Sequence, residues 1–298
     1  MITLIKGDCL DKMNDIPNKS IDAIITDPPY GNMVSENWDN KISVDQSLFF
    51  NNVAKRSYNL LRYGGRYILF GSNKTMLYVY NSINNIYLHR ELITIDKGIK
   101  VVGGRNTKKY KQHPNCTEYI NINTKFAHEY TKQILLNANK DNLSSNEINN
   151  KLGYKSNGGG MWSIYTGNNV CKQVPTKEAW TKFKTIFNIP DYNDFKEVFN
   201  IEQGVYNVFK NINFNIKNRM HPTQKPISLM EYLIKTYTNE NETVLDFTAG
   251  SFTTAIAAIN TNRQFIGIEK DDKYFEIGTN RVQEHVKTLD HDIELIII

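Results

Sequence analysis

The chain is 298 residues long with a formal net charge of +5 and 40% hydrophobic residues, enough for one large α/β domain, or one such domain plus an insertion, with a sizeable core. No apolar run approaches the roughly 20 residues of a membrane span, and the N-terminus lacks the charged-then-apolar pattern of a signal peptide, so an intracellular protein is expected. Three scattered cysteines, Cys9, Cys116 and Cys171, argue against a disulfide framework or a zinc knuckle and for reduced thiols.

In chain order, Ile2-Thr3-Leu4-Ile5 reads as a short strand ending at the turn Lys6-Gly7-Asp8-Cys9. Ile21 to Thr26 is a second, buried strand, and Asp27-Pro28-Pro29-Tyr30 follows it directly. Two prolines fix both φ angles near −65°, remove two backbone donors and keep the preceding residues out of helical geometry. The tetrapeptide is therefore a stiff hook. At the carboxyl end of a strand it aims one carboxylate, one carbonyl and one aromatic face into the crevice where open α/β sheets bind ligands. Two acceptors beside a stacking ring suit an exocyclic amine on a planar base.

Asp45 can cap a helix carrying Phe49, Val53, Leu60 and Leu61 and ended by Tyr63-Gly64-Gly65. Arg66 to Phe70 reads as a strand, Lys74 to Ile83 as a helix, and Glu91 to Ile95 as a strand. This alternation predicts a parallel sheet covered by helices on both faces. After Asp96 the rhythm breaks. Gly98, Gly103 and Gly104 are followed by basic residues, a weak helix from Ser144 to Leu152, a flexible break at 157–160, and an amphipathic helix started by Pro175 and carrying Trp180, Phe183 and Phe187. Residues 96–218 read as an insertion. Between Lys97 and Lys155 eleven basic side chains face four acidic ones, an excess of +7 that exceeds the whole chain's charge. A basic block of this kind suits a phosphate backbone. The asparagine-rich composition reads as an AT-rich genome rather than as disorder.

Regular structure resumes with His221-Pro222-Thr223-Gln224-Lys225-Pro226, leading into a helix with Ile227, Met230, Leu233, Ile234 and Tyr237 on one face. Lys225 at a helix start is electrostatically unhelpful to that helix, which favours a role toward an anion. A βαβ unit closes the chain: strand Thr243 to Phe247, the small-residue turn Thr248-Ala249-Gly250-Ser251, a helix through Ile259, and strand Gln264 to Ile268 ending at Glu269. Such a turn lets a ligand approach the backbone, and an acid about 20 residues on sits where a ribose diol binds, so a nucleoside-containing cofactor is implied. The tail Leu295 to Ile298 reads as an edge strand or a dimer contact.

Together the three segments resemble the adenosylmethionine-dependent amino-methyltransferases of DNA, in the permuted β group. In that group Asp-Pro-Pro-Tyr comes first, the target-recognition region second, and His-Pro-Thr-Gln-Lys-Pro third, followed by the cofactor turn. The resemblance covers residues 1–95 and 219–298, and it implies a Rossmann-like, doubly wound, mostly parallel sheet of the class I methyltransferase type. It further implies a basic target-recognition region at 96–218. S-adenosyl-L-methionine is the implied cofactor and double-stranded DNA the implied partner, with a cognate restriction endonuclease and a homodimer left open. Asp27, Pro28, Pro29 and Tyr30 carry catalysis in this reading, with Tyr30 stacking on a flipped base. The cofactor falls to Asp8, Cys9, Asp27, Thr223, Lys225, Asp246, Phe247, Ala249, Gly250, Ser251 and Glu269, with Glu269 on the ribose and Lys225 near the methionine end. Asp27 rather than serine favours adenine N6 over cytosine N4. Phe252 stands where the family has its second glycine. A side chain pointing inward there lowers cofactor affinity and favours a non-catalytic DNA-binding subunit; one pointing away leaves binding intact.

Overall fold

A computed structural model describes residues 1–29, 46–83, 86–96, 117–154, 160–167, 173–192, 195, 198–200, 207–210, 212, 216, 219–290 and 292–298. Tyr30, Asp45, the glycines at 98, 103 and 104, Cys116, Cys171 and the basic residues 97–111 lie outside these. The described strands are β1 (Ile2–Lys6), β2 (Ile21–Thr26), β3 (Leu61–Gly71), β4 (Leu88–Asp96), β5 (Thr117–Thr124), β6 (Val208–Phe209), β7 (Thr243–Asp246), β8 (Gln264–Glu269) and β9 (Leu295–Ile297). The helices are α1 (Cys9–Lys12), α2 (Gln46–Leu60), α3 (Asn73–Ile83), α4 (His128–Ala138), α5 (Ser145–Lys151), α6 (Met161–Thr166), α7 (Lys177–Lys184), α8 (Ile227–Tyr237), α9 (Thr253–Asn260) and α10 (Asp272–Lys287).

The strands form one sheet in the order β6-β4-β5-β3-β2-β7-β8-β1-β9. It is parallel except where β5 runs antiparallel to both β3 and β4. Alternation along a strand sends successive side chains to opposite faces, and β3 shows it. Ile68 and Phe70 join the core beneath α8 and α9, whereas Tyr67 and Leu69 join the core beneath α2 and α3. Both faces are therefore covered, as the alternating pattern predicts. The tail is an edge strand, with β9 parallel to β1.

The boundary between α2 and β3 differs from the sequence reading. β3 begins at Leu61, so the stretch from Leu61 to Gly65 is strand rather than helix end. Gly64, at φ +78°, sits in a register shift that jumps from Ile21↔Leu61 to Ala23↔Arg66. Gly64 N–H donates to Lys125 O and Lys125 N–H donates to Gly65 O, which satisfies the bulge. In α7 the cap is Thr176, whose hydroxyl accepts from Ala179 N–H, so Pro175 precedes the cap rather than starting the helix.

The chain divides into two compact units, Met1–Lys125 with Val198–Ile298, and Phe126–Glu197. The first holds the whole sheet, including β5 and β6, which lie in the sequence range read as an insertion. The second is helical in its described residues. Trp180, Phe183 and Phe195 are buried there, the Trp180 indole donates to Pro190 O at 2.7 Å, and Ser144 and Glu147 form a capping box on α5.

Lys125 counts toward the basic block but is buried. It donates to Tyr58 O and Leu61 O at 2.7 and 2.8 Å, closing the end of α2, and burial lowers its ammonium to about 8. That cation serves the fold rather than a phosphate.

Candidate active site

β2 and β7 run side by side in parallel register, Ala23↔Val244 and Ile24↔Leu245. Their carboxyl ends therefore meet, although 220 residues separate them in sequence. The Thr26 hydroxyl donates to Asp246 Oδ1 at 2.9 Å and lies 2.6 Å from the Thr248 hydroxyl. Thr254 donates to Asp246 Oδ2 at 2.6 Å, and Thr248 N–H to Oδ1 at 3.2 Å. Burial pushes the Asp246 carboxyl up to about 6 even against these donors. Asp246 thus ties the turn after β7 to the strand carrying the hook, and Asp27 emerges at the junction.

The turn after β7 is shaped by two left-handed residues. Gly250 has φ +55°, and a Cβ there would stand 3.5 Å from the His221 ring, so the backbone at this point runs close beneath that imidazole. Gly250 N–H donates to Glu269 Oε2 and Asp271 N–H to Oε1, both at 2.7 Å. Each carboxylate oxygen can accept a second bond, so Glu269 retains capacity for hydroxyl donors. Burial raises its carboxyl to about 7.

Phe252 also adopts the left-handed conformation, φ 55° and ψ 39°, which costs a non-glycine residue roughly 1–2 kcal/mol. Its ring turns away from the cavity. It is fully buried between β8 and α10, where added Cβ atoms at Gly267 and Gly278 would come within 2.7 and 2.4 Å of it, and it packs edge-on to Phe275. The two glycines open the space that the phenylalanine fills. Phe252→Ala is expected to lower unfolding stability by about 3–5 kcal/mol, as for other phenylalanine truncations in cores, while leaving cofactor affinity within a few-fold. Denaturant titration and calorimetry check the two halves, and a large affinity change with unaltered stability would contradict this packing role.

Asp8 caps α1 by accepting from Leu10 N–H at 2.9 Å, and Lys270 donates to it at 2.6 Å. Burial pushes the Asp8 carboxyl up, but these donors and the Lys270 charge outweigh it and hold the group below its usual range. Burial, aided by the Asp8 charge, pushes the Cys9 thiol up to about 12. Cys9 is wall, not nucleophile.

Lys225 is buried, and its ammonium lies between two carboxylates, bonded to Asp27 Oδ2 and 3.1 Å from Glu118 Oε1, with the Phe70 ring centroid at 5.0 Å. Burial alone would depress it, but the two carboxylates more than offset that and keep the ammonium charged. The sequence reading placed Lys225 near the methionine end of a cofactor; the structure gives it carboxylate partners within the protein. His221, which that reading did not count among the site residues, packs edge-on to Tyr274 at 4.2 Å, and its Nδ1 lies 3.1 Å from the Thr223 hydroxyl. Burial and the Lys225 charge lower it to about 4, so the imidazole is neutral at physiological pH.

These groups surround one cavity of about 480 Å³, within the roughly 300–1,000 Å³ usual for small-molecule sites. Asp8, Cys9, Asp27, Pro29, Thr223, Lys225, Asp246, Phe247, Ala249, Gly250, Ser251 and Glu269 all line it, with His221 and Tyr274. Pro28 is buried, and Tyr30 is outside the described residues. Glu118, like His221 and Tyr274 on the cavity wall, is a residue that sequence reasoning missed. It sits on β5, an antiparallel strand whose amino end, not its carboxyl end, reaches the crevice.

A family model described as DNA methylase matches residues 21–280. Among curated proteins, the DNA adenine methyltransferase YhdJ of Escherichia coli is 26% identical over 94% of this chain and 82% of its own length. The type II methyltransferase M.HinfI of Haemophilus influenzae is 25% identical over 99% and 71%. Among solved structures, the M1.HpyAVI–SAM complex superposes with TM-score 0.58 at 22% identity, over 95% of this chain and 99% of that one. The cytosine-N4-specific PvuII DNA methyltransferase superposes with TM-score 0.57 at 16% identity, over 99% and 89%. These two likenesses show a shared fold. With strands β2 to β8, the junction of β2 and β7 and most of the sequence inside the matched model, the chain belongs to the DNA methylase family.

Proposed function

We propose that this protein is a site-specific DNA methyltransferase of the permuted β group that transfers a methyl group from S-adenosyl-L-methionine to adenine N6. The observation that carries the reading is the junction of β2 and β7, which brings Asp27 of the hook and the turn from Asp246 to Ser251 into one cavity with Glu269. The residues fit the cofactor. Glu269 is a half-buried carboxylate with acceptor capacity for ribose hydroxyls, the Gly250 turn is open to the cavity, and Asp8, Cys9 and Phe247 form wall suited to an adenine ring. Bound there, adenosylmethionine supplies a methyl group made electrophilic by the positive sulfur.

The chain's own residues hold and polarise the amine. A duplex hides that group, so the base must be extruded, at a cost of a few kcal/mol. Asp27 accepts one N–H and the Pro28 carbonyl the other, turning the nitrogen lone pair toward the cavity, with Tyr30 stacking on the base. The nitrogen becomes cationic as its bond to the methyl carbon forms and the sulfur–carbon bond breaks, the Asp27 carboxylate stabilises that charge, and the nitrogen then releases one proton to solvent. Thr26, Thr248 and Thr254 keep Asp246 and the turn in register with the hook.

Adenine is favoured by Asp27 in place of serine, and the relative YhdJ is named an adenine methyltransferase. We assign target recognition to the inserted region, with the helical unit Phe126–Glu197 at its centre. Among the described residues no helix is long and apolar enough to cross a membrane. Incubation with adenosylmethionine and unmethylated duplex DNA, followed by nucleoside mass analysis, is expected to yield N6-methyladenine. N4-methylcytosine would overturn the assignment of the base, and no methylated nucleoside would favour the non-catalytic reading.

A further inference from the structure

We propose that Glu118 is a positioning residue for methyl transfer, acting on Asp27 through Lys225. The inference rests on the methyltransferase reading above and deepens it. Glu118 is buried and is not among the described residues that line the cavity. Its Oε1 lies 3.1 Å from the ammonium of Lys225, which in turn holds Asp27 at Oδ2.

Geometry gives the relay its direction. Asp27 follows β2 and Glu118 lies on β5, with β3 between them. Phe70, near the end of β3, supplies the apolar ring beside Lys225, and Phe70 is the register partner of Ile120, two residues from Glu118. The lysine stem is threaded between two carboxylates over an aromatic floor. Side-chain exposure falls from 18% at Asp27 to 8% at Lys225 and 4% at Glu118, so the far end of the relay is the most enclosed.

Three charges in such a place constrain one another strongly, because little water screens them. A flexible four-carbon stem with a single partner can rotate about it; a second anchor fixes the ammonium. Once the ammonium is fixed, so is the plane of the Asp27 carboxylate, and with it the direction in which Asp27 accepts from an amine. Glu118 thereby strengthens an interaction made mainly in the transition state, and its loss is read in kcat rather than in KM.

The test is a double-mutant cycle on the full chain, with unmethylated bacterial genomic DNA and methyl-labelled adenosylmethionine as probes. Turnover is expressed per cofactor-binding site, counted by calorimetric titration, so that misfolded protein drops out. Glu118→Gln is expected to lower kcat by on the order of tenfold or more, with KM for adenosylmethionine changed by less than about threefold. In a Lys225→Met background the same substitution is expected to have no further effect. Where Lys225→Met fails to give folded protein, Lys225→Gln takes its place. Unaltered kcat per site in Glu118→Gln, or an equal loss with and without Lys225, overturns the relay. No methyl transfer by the wild-type protein overturns the methyltransferase reading itself, so the two failures are distinct.

Discussion

Asp27→Ala is expected to reduce kcat by about a thousandfold or more, since both the positioning of the amine and the stabilisation of its developing charge are lost. Adenosylmethionine affinity should change only a few-fold. The turn that would hold the cofactor is organised by Asp246, Glu269 and their hydroxyl and backbone donors, none of which is supplied by Asp27. Lys225 keeps Glu118 as a carboxylate partner in this variant, so the ammonium is not stranded in the core. Single-turnover kinetics alongside calorimetric titration separate the two quantities. Turnover within tenfold of wild type would remove Asp27 from the mechanism, and a parallel loss of cofactor binding would make its role structural.

The second large effect is a pH dependence of cofactor binding governed by Glu269. Burial raises this carboxyl to about 7, so it is ionised at pH 8 and mostly protonated at pH 6. In the proposed site ribose hydroxyls would donate to the ionised form. Affinity should therefore be flat above pH 8 and about tenfold weaker at pH 6, following the fraction ionised. Glu269→Gln should weaken binding at pH 8 and abolish the slope. The same shift acts on folding with the opposite sign. The folded value lies above the ordinary 4.5, so this group's contribution to apo stability is fully present below about 4.5 and is lost as pH rises through about 7. Calorimetric titrations between pH 6 and 8 on both variants decide the matter, and an unchanged slope in Glu269→Gln would assign it to another group.

Much of this site was legible from local chemistry. Prolines at 28 and 29 announce a rigid exit from a strand, and the turn from Thr248 to Ser251 announces a place where a ligand can approach the backbone, because in each case the signal lies within a few residues of the group it positions. The cavity gathers every cofactor-site residue named from sequence. The alternation of apolar runs likewise predicted a sheet covered on both faces. It failed at β5, which lies in a stretch read as insertion and enters the sheet against the direction of its neighbours. An antiparallel strand presents its first residues at the edge where parallel strands present their last, so Glu118 stood at the wrong end for sequence rules to select it.

Phe252 shows the same divide. Its left-handed backbone and buried ring depend on Gly267 and Gly278, on a later strand and helix, leaving room for it. No spacing near position 252 reveals that room. The basic block shows it again, since Lys125 looks like any surface cation until α2 ends beside it and claims its ammonium. By itself, then, the sequence determined which chemical groups are available and which short segments hold them rigidly. Only the tertiary structure decided which way Phe252 faces, which carboxylates Lys225 joins, and that Glu118 belongs beside Asp27. The physical reason is range: backbone stiffness and hydrophobic period act over a few residues, whereas partners that meet across β2, β3 and β5 are chosen by strand order, direction and register.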